Sequence, residues 1–168
     1  MTPVELIEQL SLLIRDSVKN YRLLSELETD LATQQLKKVY KLKKVSVYEQ
    51  EIPEEDFNDD SYYPLVIVSL QKIQDQIEES EVKPTLMIVG LTIGVYGEDK
   101  NSWKDLLNLT ETIRSCALLN KMVAKKFRLV EVVDSDFIEK QPYPFHFSYI
   151  TLIYSTFQPR STKTIEWS

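Results

Sequence analysis

The sequence predicts a single α+β domain, a mostly antiparallel sheet of about four to five strands with two main helices packed on one side. The expected order is α-β-β-β-α-β-β. Three observations lead there. Apolar residues recur every three or four positions in two stretches, Val4 to Leu24 and Leu106 to Ala117. Two long runs, Leu86 to Tyr96 and Phe145 to Phe157, are rich in β-branched and aromatic residues and contain no proline. No internal repeat or low-complexity segment breaks this pattern.

The first helix starts at Thr2-Pro3-Val4-Glu5. Thr2 suits the N-cap, Pro3 the first turn, and Glu5 completes a capping box. Val4, Ile7, Leu10, Ile14, Val18, Tyr21 and Leu24 form one apolar face, which ends near Leu27. Glu28 to Lys38 is polar and weakly periodic, a turn or loose helix end. Lys43 to Tyr48 alternates and reads as a strand. An acidic loop follows over 49–62, and Leu65 to Leu70 is a short apolar strand. Lys72 to Lys83 reads as a loop between strands.

Leu86 to Tyr96 is a long strand. Met87, Val89, Leu91, Ile93 and Val95 form its core face, and Gly90 and Gly94 lie on the other, where a neighbouring group can come close. Ser102 caps the second helix, with Asp105 in its first turn beside the positive helix end. Leu106, Leu109, Ile113, Cys116 and Ala117 are its apolar stripe. Phe127 to Val133 is a strand, Asp134 to Gln141 a loop, and Phe145 to Phe157 the last strand. The domain is expected to cover 1–158, with 159–168 a loose tail whose large apolar anchor is Trp167.

A length of 168 residues suits one domain, and an apolar fraction of 43% can build its core without a disulfide or metal. Cys116 is alone, so no intramolecular disulfide can form, and a reducing compartment fits. The net charge of −6 argues against an extended nucleic-acid footprint. No basic, apolar leader opens the chain, and its longest apolar run is too short to cross a bilayer. A soluble intracellular product, or one released by lysis, is expected, with no membrane partner.

Few residues suggest chemistry. His146 is the single histidine and has no second histidine or cysteine motif to complete a metal site, so it reads as structural. Cys116, on a helical stripe, reads as a small core residue. Gly90, Gly94 and Gly97 do not follow phosphate-loop spacing. The acidic loop lacks the alternating ligands and central glycine of a calcium site. It reads as solvated, and its functional version is a mobile segment that orders on a partner or lines a channel. No catalytic, cofactor-binding or metal-binding residue is assigned, and no cofactor is expected.

Two charged clusters remain as candidate subunit-interface or lumen residues. One is basic: Lys37, Lys38, Lys41, Lys43 and Lys44. The other is acidic: Glu54, Glu55, Asp56, Asp59 and Asp60. The lysines read first as protection of an edge strand against sheet-to-sheet pairing. Pairing with the acidic loop of a neighbouring subunit comes second, and contact with phosphate third.

The order of several motifs resembles a known family. Lys44-Val45-Ser46-Val47 precedes an acidic loop and then Tyr63-Pro64-Leu65-Val66-Ile67-Val68. Ile93-Gly94-Val95-Tyr96 precedes an acidic turn and the helix Asp105 to Arg114. Phe127-Arg128-Leu129 and Gln141-Pro142-Tyr143-Pro144-Phe145 complete the series. This pattern, over roughly residues 40 to 157, is similar to the small tail-terminator and head-to-tail joining proteins of tailed bacteriophages and Gram-positive prophages. Where that family's aromatic-proline motif often continues with tryptophan and glycine, this chain has Phe145-His146-Phe147. The long first helix and the lysine-rich segment after it have no counterpart.

The resemblance implies a structural virion protein rather than an enzyme. Such proteins form a ring, commonly a hexamer, that caps the finished tail tube and offers a docking surface to the head. The partners it implies are further copies of the chain, a tail-tube protein and a head-completion or connector protein. DNA passes only through the lumen. Location would be the head-proximal end of the virion tail, after assembly in the host cytoplasm. Alternatives are a head-completion or connector adaptor of the same virion, or a non-viral protein-interaction adaptor domain.

Overall fold

The computed structural model describes residues 2–21, 27–30, 35–38, 44–52, 58–78, 81–82, 84–98 and 101–156, with backbone alone at 27–30, 35–38, 77–78 and 81–82. Helix α1 spans Pro3–Val18. Thr2 occupies its N-cap, and the Glu5 N–H donates to the Thr2 hydroxyl at 3.3 Å. Its buried stripe includes Leu6, Ile7, Leu10, Ile14 and Val18. The helix therefore ends well before Leu27. The Tyr21 N–H bonds the Val18 carbonyl at 3.0 Å, closing the last turn. The Tyr21 hydroxyl donates to the Asp105 carbonyl at 2.9 Å. That long-range bond turns the chain off the helical path, and burial pushes the Tyr21 phenol above its ordinary pKa.

Beyond that turn the expected loose helix end is a β-hairpin. Strands β1 (Leu27–Asp30) and β2 (Gln35–Lys38) pair antiparallel, with Glu28 opposite Lys37 in register. Strand β3 (Ser46–Glu49) follows, and a single 3-10 turn at Asp60–Tyr62 precedes β4 (Leu65–Gln74). Glu49, expected in the acidic loop, is thus the last residue of a strand. The stretch from Lys72 to Lys83 is not a plain loop either. β4 runs on to Gln74, and β5 (Ile77–Glu78) pairs with β6 (Glu81–Val82) as a short hairpin. Gln71 to Gln74 are exposed, so this end of β4 carries no apolar alternation for a sequence reading to detect.

Strand β7 (Leu86–Tyr96) leads into helix α2 (Ser102–Leu119). Asn101, not Ser102, stands at the N-cap, and Ser102 is the first helical residue and buried. Strand β8 (Met122–Val123) is a two-residue addition. β9 (Phe127–Phe137) extends past Val133 through half of the expected loop, and β10 (Phe145–Thr156) ends the described chain. The tail expected at 159–168 lies outside the described residues.

Six strands form one sheet in the order β3-β4-β7-β10-β9-β8, against the four to five expected. It is mixed rather than wholly antiparallel, because β3 and β4 pair parallel. The segment between them carries the chain back to the starting end of β3, and a return of that kind enters the next strand in the same direction.

The α+β class and the two-helix layer are as expected. Both helices contribute to one core with a single face of the sheet. Leu6, Leu10 and Ile14 of α1 and Leu106, Leu109 and Ile113 of α2 are almost wholly buried. They join Val66 and Val68, then Val89, Leu91 and Ile93, then Ile150, Leu152 and Tyr154. These residues alternate along their strands, as one face of a sheet must. Within this layer the Thr110 and Ser148 hydroxyls stand 2.6 Å apart, and Thr110 also donates to the Leu106 carbonyl at 2.7 Å. Cys116 is buried on the same helix stripe.

A second, smaller cluster lies on the opposite face. Ile52, Tyr63, Leu65 and Ile67 are buried there, flanked by Tyr48, Tyr62, Tyr96, Phe145 and Phe147. Gly94 makes it possible. A Cβ at Gly94 would stand 2.7 Å from Tyr63 Cε1 and 3.0 Å from Phe147 Cε1, whereas a Cβ at Gly90 meets the amide end of Gln71, an exposed and flexible side chain.

Two stability outcomes follow from this packing. Gly94→Ala should lower stability by about 1–3 kcal/mol through overpacking, while Gly90→Ala should stay within about 0.5 kcal/mol of wild type; thermal melts of the pair check the contrast. Thr110→Val orphans the Ser148 hydroxyl and should cost about 1–3 kcal/mol. Adding Ser148→Ala should recover part of that loss, read as a positive coupling in a double-mutant cycle of denaturant midpoints.

Candidate functional site

The candidate residues divide between placed and unplaced. Lys41, Lys43, Glu54, Glu55 and Asp56 lie outside the described residues. Lys37 and Lys38 stand in β2, with Lys38 opposite Leu27. Lys44 is exposed just before β3. Asp59 and Asp60 sit at the 3-10 turn ahead of β4, and Asp59 caps it: its Oδ1 accepts from the Ser61 N–H at 2.9 Å. Hydrogen bonding to Ser61 holds the Asp59 carboxyl below its usual range.

Asp60 is exposed and lies near Tyr96. The Tyr96 hydroxyl donates to Glu98 Oε1 at 3.0 Å, which raises its pKa, with smaller contributions from desolvation and from Glu98, Asp60 and Tyr143.

The edge of the sheet at β3 forms the first surface feature. A groove of about 530 Å³ is lined by Arg15, Val18, Lys19, Lys44, Val47 and Tyr48. Arg15 Nη2 donates to the Val47 carbonyl at 3.0 Å and lies 3.6 Å from Glu49. Lys19 pairs with Asp16 at 2.8 Å. All four of these side chains are substantially exposed, so each pair contributes little by itself.

The helix-free face holds a second, shallow depression of about 450 Å³, lined by Gln50, Ile67, Ser69, Thr92, Phe147 and Tyr149. Its lining carries no carboxylate, thiol or imidazole. Among the described residues no group of three or more His, Cys, Asp or Glu is placed to hold a metal ion, and no helix is long and apolar enough to cross a membrane.

The residues that sequence reasoning treated as punctuation meet at one point. Tyr63 contacts Phe145 at 5.0 Å and Phe147 at 5.9 Å between ring centroids, and Tyr96 contacts Phe145 at 5.3 Å. The Gln141 side chain brackets Phe147, accepting from its N–H at 2.8 Å and donating to its carbonyl at 2.9 Å. Pro64 and Pro144 both follow cis peptide bonds. Their carbonyls accept from Ser46 N–H and Gly97 N–H, each at 3.0 Å, tying the β3 entry and the turn after β7 to the same region.

His146 lies between these aromatics in sequence but on the other side of the strand. Both ring nitrogens are buried without a hydrogen-bond partner among the described residues. Sequence reasoning also missed the exposed apolar groups. Trp103 and Leu107 are exposed one turn apart on α2, as are Val130, Val133 and Phe137 on β9. The signal was present as apolar residues off the helical stripe, as Val130 and Val133 within the stretch read as strand, and as Phe137 within the stretch read as loop.

Because the folded-state pKa of Asp59 is depressed, its contribution to stability is present above the unfolded value of about 3.9. It is lost as pH falls through the lower folded value. Asp59→Asn keeps an acceptor at the cap and should flatten that acid limb, seen in thermal melts between pH 2 and 6. No protein-family model matches the chain, and no curated protein matches it.

Proposed function

We propose that this protein is a structural virion component, a tail terminator that caps the completed tail tube as a ring and presents a docking surface to the head. The observation that carries this reading is where the resembling motifs lie. Tyr63, Tyr96 and Phe145, one from each of three motifs distant in sequence, pack in one aromatic cluster beside the bare backbone of Gly94. Residues of the resembling motifs thus share one packing unit, which supports the reading. The helix Asp105 to Arg114 covers the other face of the same sheet.

Exposed apolar side chains on both α2 and β9 support a protein that works by contact. A ring needs two different patches on each copy, one meeting the other on the next copy. The partners in this reading are further copies in a ring, a hexamer by the resemblance, together with a tail-tube protein and a head-completion or connector protein. DNA passes through the lumen, and the net charge of −6 keeps it from adhering. The protein acts in the virion tail after assembly in the host cytoplasm.

Light scattering and negative-stain microscopy of the purified protein, with and without tail tubes, test the reading. Ring-sized particles and tubes of limited length are the expected result. A strict monomer that neither binds tubes nor limits their growth would overturn it. Docking to tailless heads in place of tubes would move the assignment to the head-completion adaptor.

A further inference from the structure

Among the described residues the six-stranded sheet is open at both ends, and the two ends differ. At one end β3 pairs only with β4. The Ser46 and Gln50 N–H groups bond to Pro64 and Val68 of the β4 side. By alternation, the backbone groups of Val47 and Glu49 turn outward. Among the described residues the Val47 carbonyl accepts from Arg15, and the Glu49 carbonyl accepts from the Glu51 N–H at 2.9 Å. No described strand pairs with this edge.

At the other end β8 covers only the start of β9, through Met122↔Arg128 and Val123↔Phe127, with Leu129 N–H bonding the Lys121 carbonyl. From Val130 to Phe137 the outer edge of β9 has no described neighbour. The register to β10 shifts around Val130 and Val133, and bulges of this kind discourage ladder pairing along that part. After them the strand is regular, from Asp134↔Thr151 to Phe137↔Ser148. This run is as long as β3, four residues.

The two edges also match face by face. Phe137 lies opposite Ser148, on the helix side of the sheet, and is 46% exposed. On the helix side of β3 the groove offers Val18 and Val47. Asp134 and Asp136 lie opposite Thr151 and Tyr149, on the helix-free side. Lys44 continues the alternation of Ser46 and Tyr48 onto that same side, has no ion pair among the described residues, and follows Lys41 and Lys43 in the chain. Asp16 and Glu49 offset Lys19 and Arg15 at the groove, so among the described residues the unpaired cation there is Lys44.

We propose that Asp134–Phe137 of one copy docks along the outer edge of β3 of the next copy, extending the sheet from subunit to subunit. Phe137 enters the Val18–Val47 groove, and Asp134 and Asp136 face Lys44. The contact joins unlike surfaces, so it repeats head to tail. It deepens the ring reading and rests on it for closure of the ring, not for the contact itself. It also gives the basic cluster a different acidic partner from the loop at 54–60.

Charge exchange tests the contact on the full chain. One variant carries Lys44→Glu, a second carries Asp134→Lys and Asp136→Lys, and a third carries Phe137→Asp. All change exposed side chains, and circular dichroism and melting confirm the fold. Sedimentation velocity should show each variant alone self-associating at least about tenfold more weakly than wild type. Mixing the first two should restore wild-type-sized particles, since each mixed contact again joins opposite charges.

Wild-type association by all three variants would overturn the edge contact while leaving the ring reading intact. Weakened association with rescue on mixing supports the contact, whether or not tubes are capped. Failure to cap tubes by a wild-type protein that associates would count against the ring function alone. A wild-type protein that stays monomeric overturns both.

Discussion

The pairing of β7 with β10 is the constraint on which the rest of the structure depends. Its register runs without a break from Phe145↔Tyr96 to Ser155↔Leu86. It sets Ile93 beside Ser148 under the helices and Gly94 beside Phe147 on the far face. A slip of β10 by one residue would turn Tyr149 and Thr151 toward the helices and expose Ile150 and Leu152. Each of those apolar side chains is worth about 1.5–3 kcal/mol when buried, so the observed register is strongly selected. The neighbouring strands then inherit their faces from this pair.

The same register explains how a two-layer domain comes to have a second cluster. Bare backbone at Gly94 lets Tyr63 and Phe147 close over the sheet where no helix lies. Among the described residues only one end of that face is covered. Tyr149 and the depression beside it remain open. The parallel β3 at one edge and the bulged β9 at the other make the sheet asymmetric. An asymmetric sheet with unlike edges suits repetition in one direction better than a two-fold dimer.

Much of the inner layer was legible in the residues. The Thr2 cap, the α1 stripe from Ile7 to Val18 though not the exposed Val4, the core face of β7 and the α2 stripe are local patterns with one burial side. The elements that escaped are those whose partner is remote or whose faces are wet. The β1–β2 hairpin carries Glu28 opposite Lys37 and shows no apolar alternation. The ends of β4 and β9 are exposed on both faces. For the candidate surfaces, Lys44 and the acidic residues were visible as charge. Phe137 was not, because it fell in a stretch that read as loop.

The sequence by itself determined the α+β class, the side of each central element that is buried, and the absence of an intramolecular disulfide. Hydrophobic periodicity encodes the first two directly, because burial acts on each side chain where it stands, and the single cysteine decides the third. Only the tertiary structure decided where α1 stops, that β3 runs parallel to β4, and which strands are left at the edges. Those depend on bonds between residues far apart in the chain, such as Tyr21 to Asp105 and Ser46 to Pro64. No local pattern of residues specifies such a bond, since its partner is fixed only once the sheet has assembled.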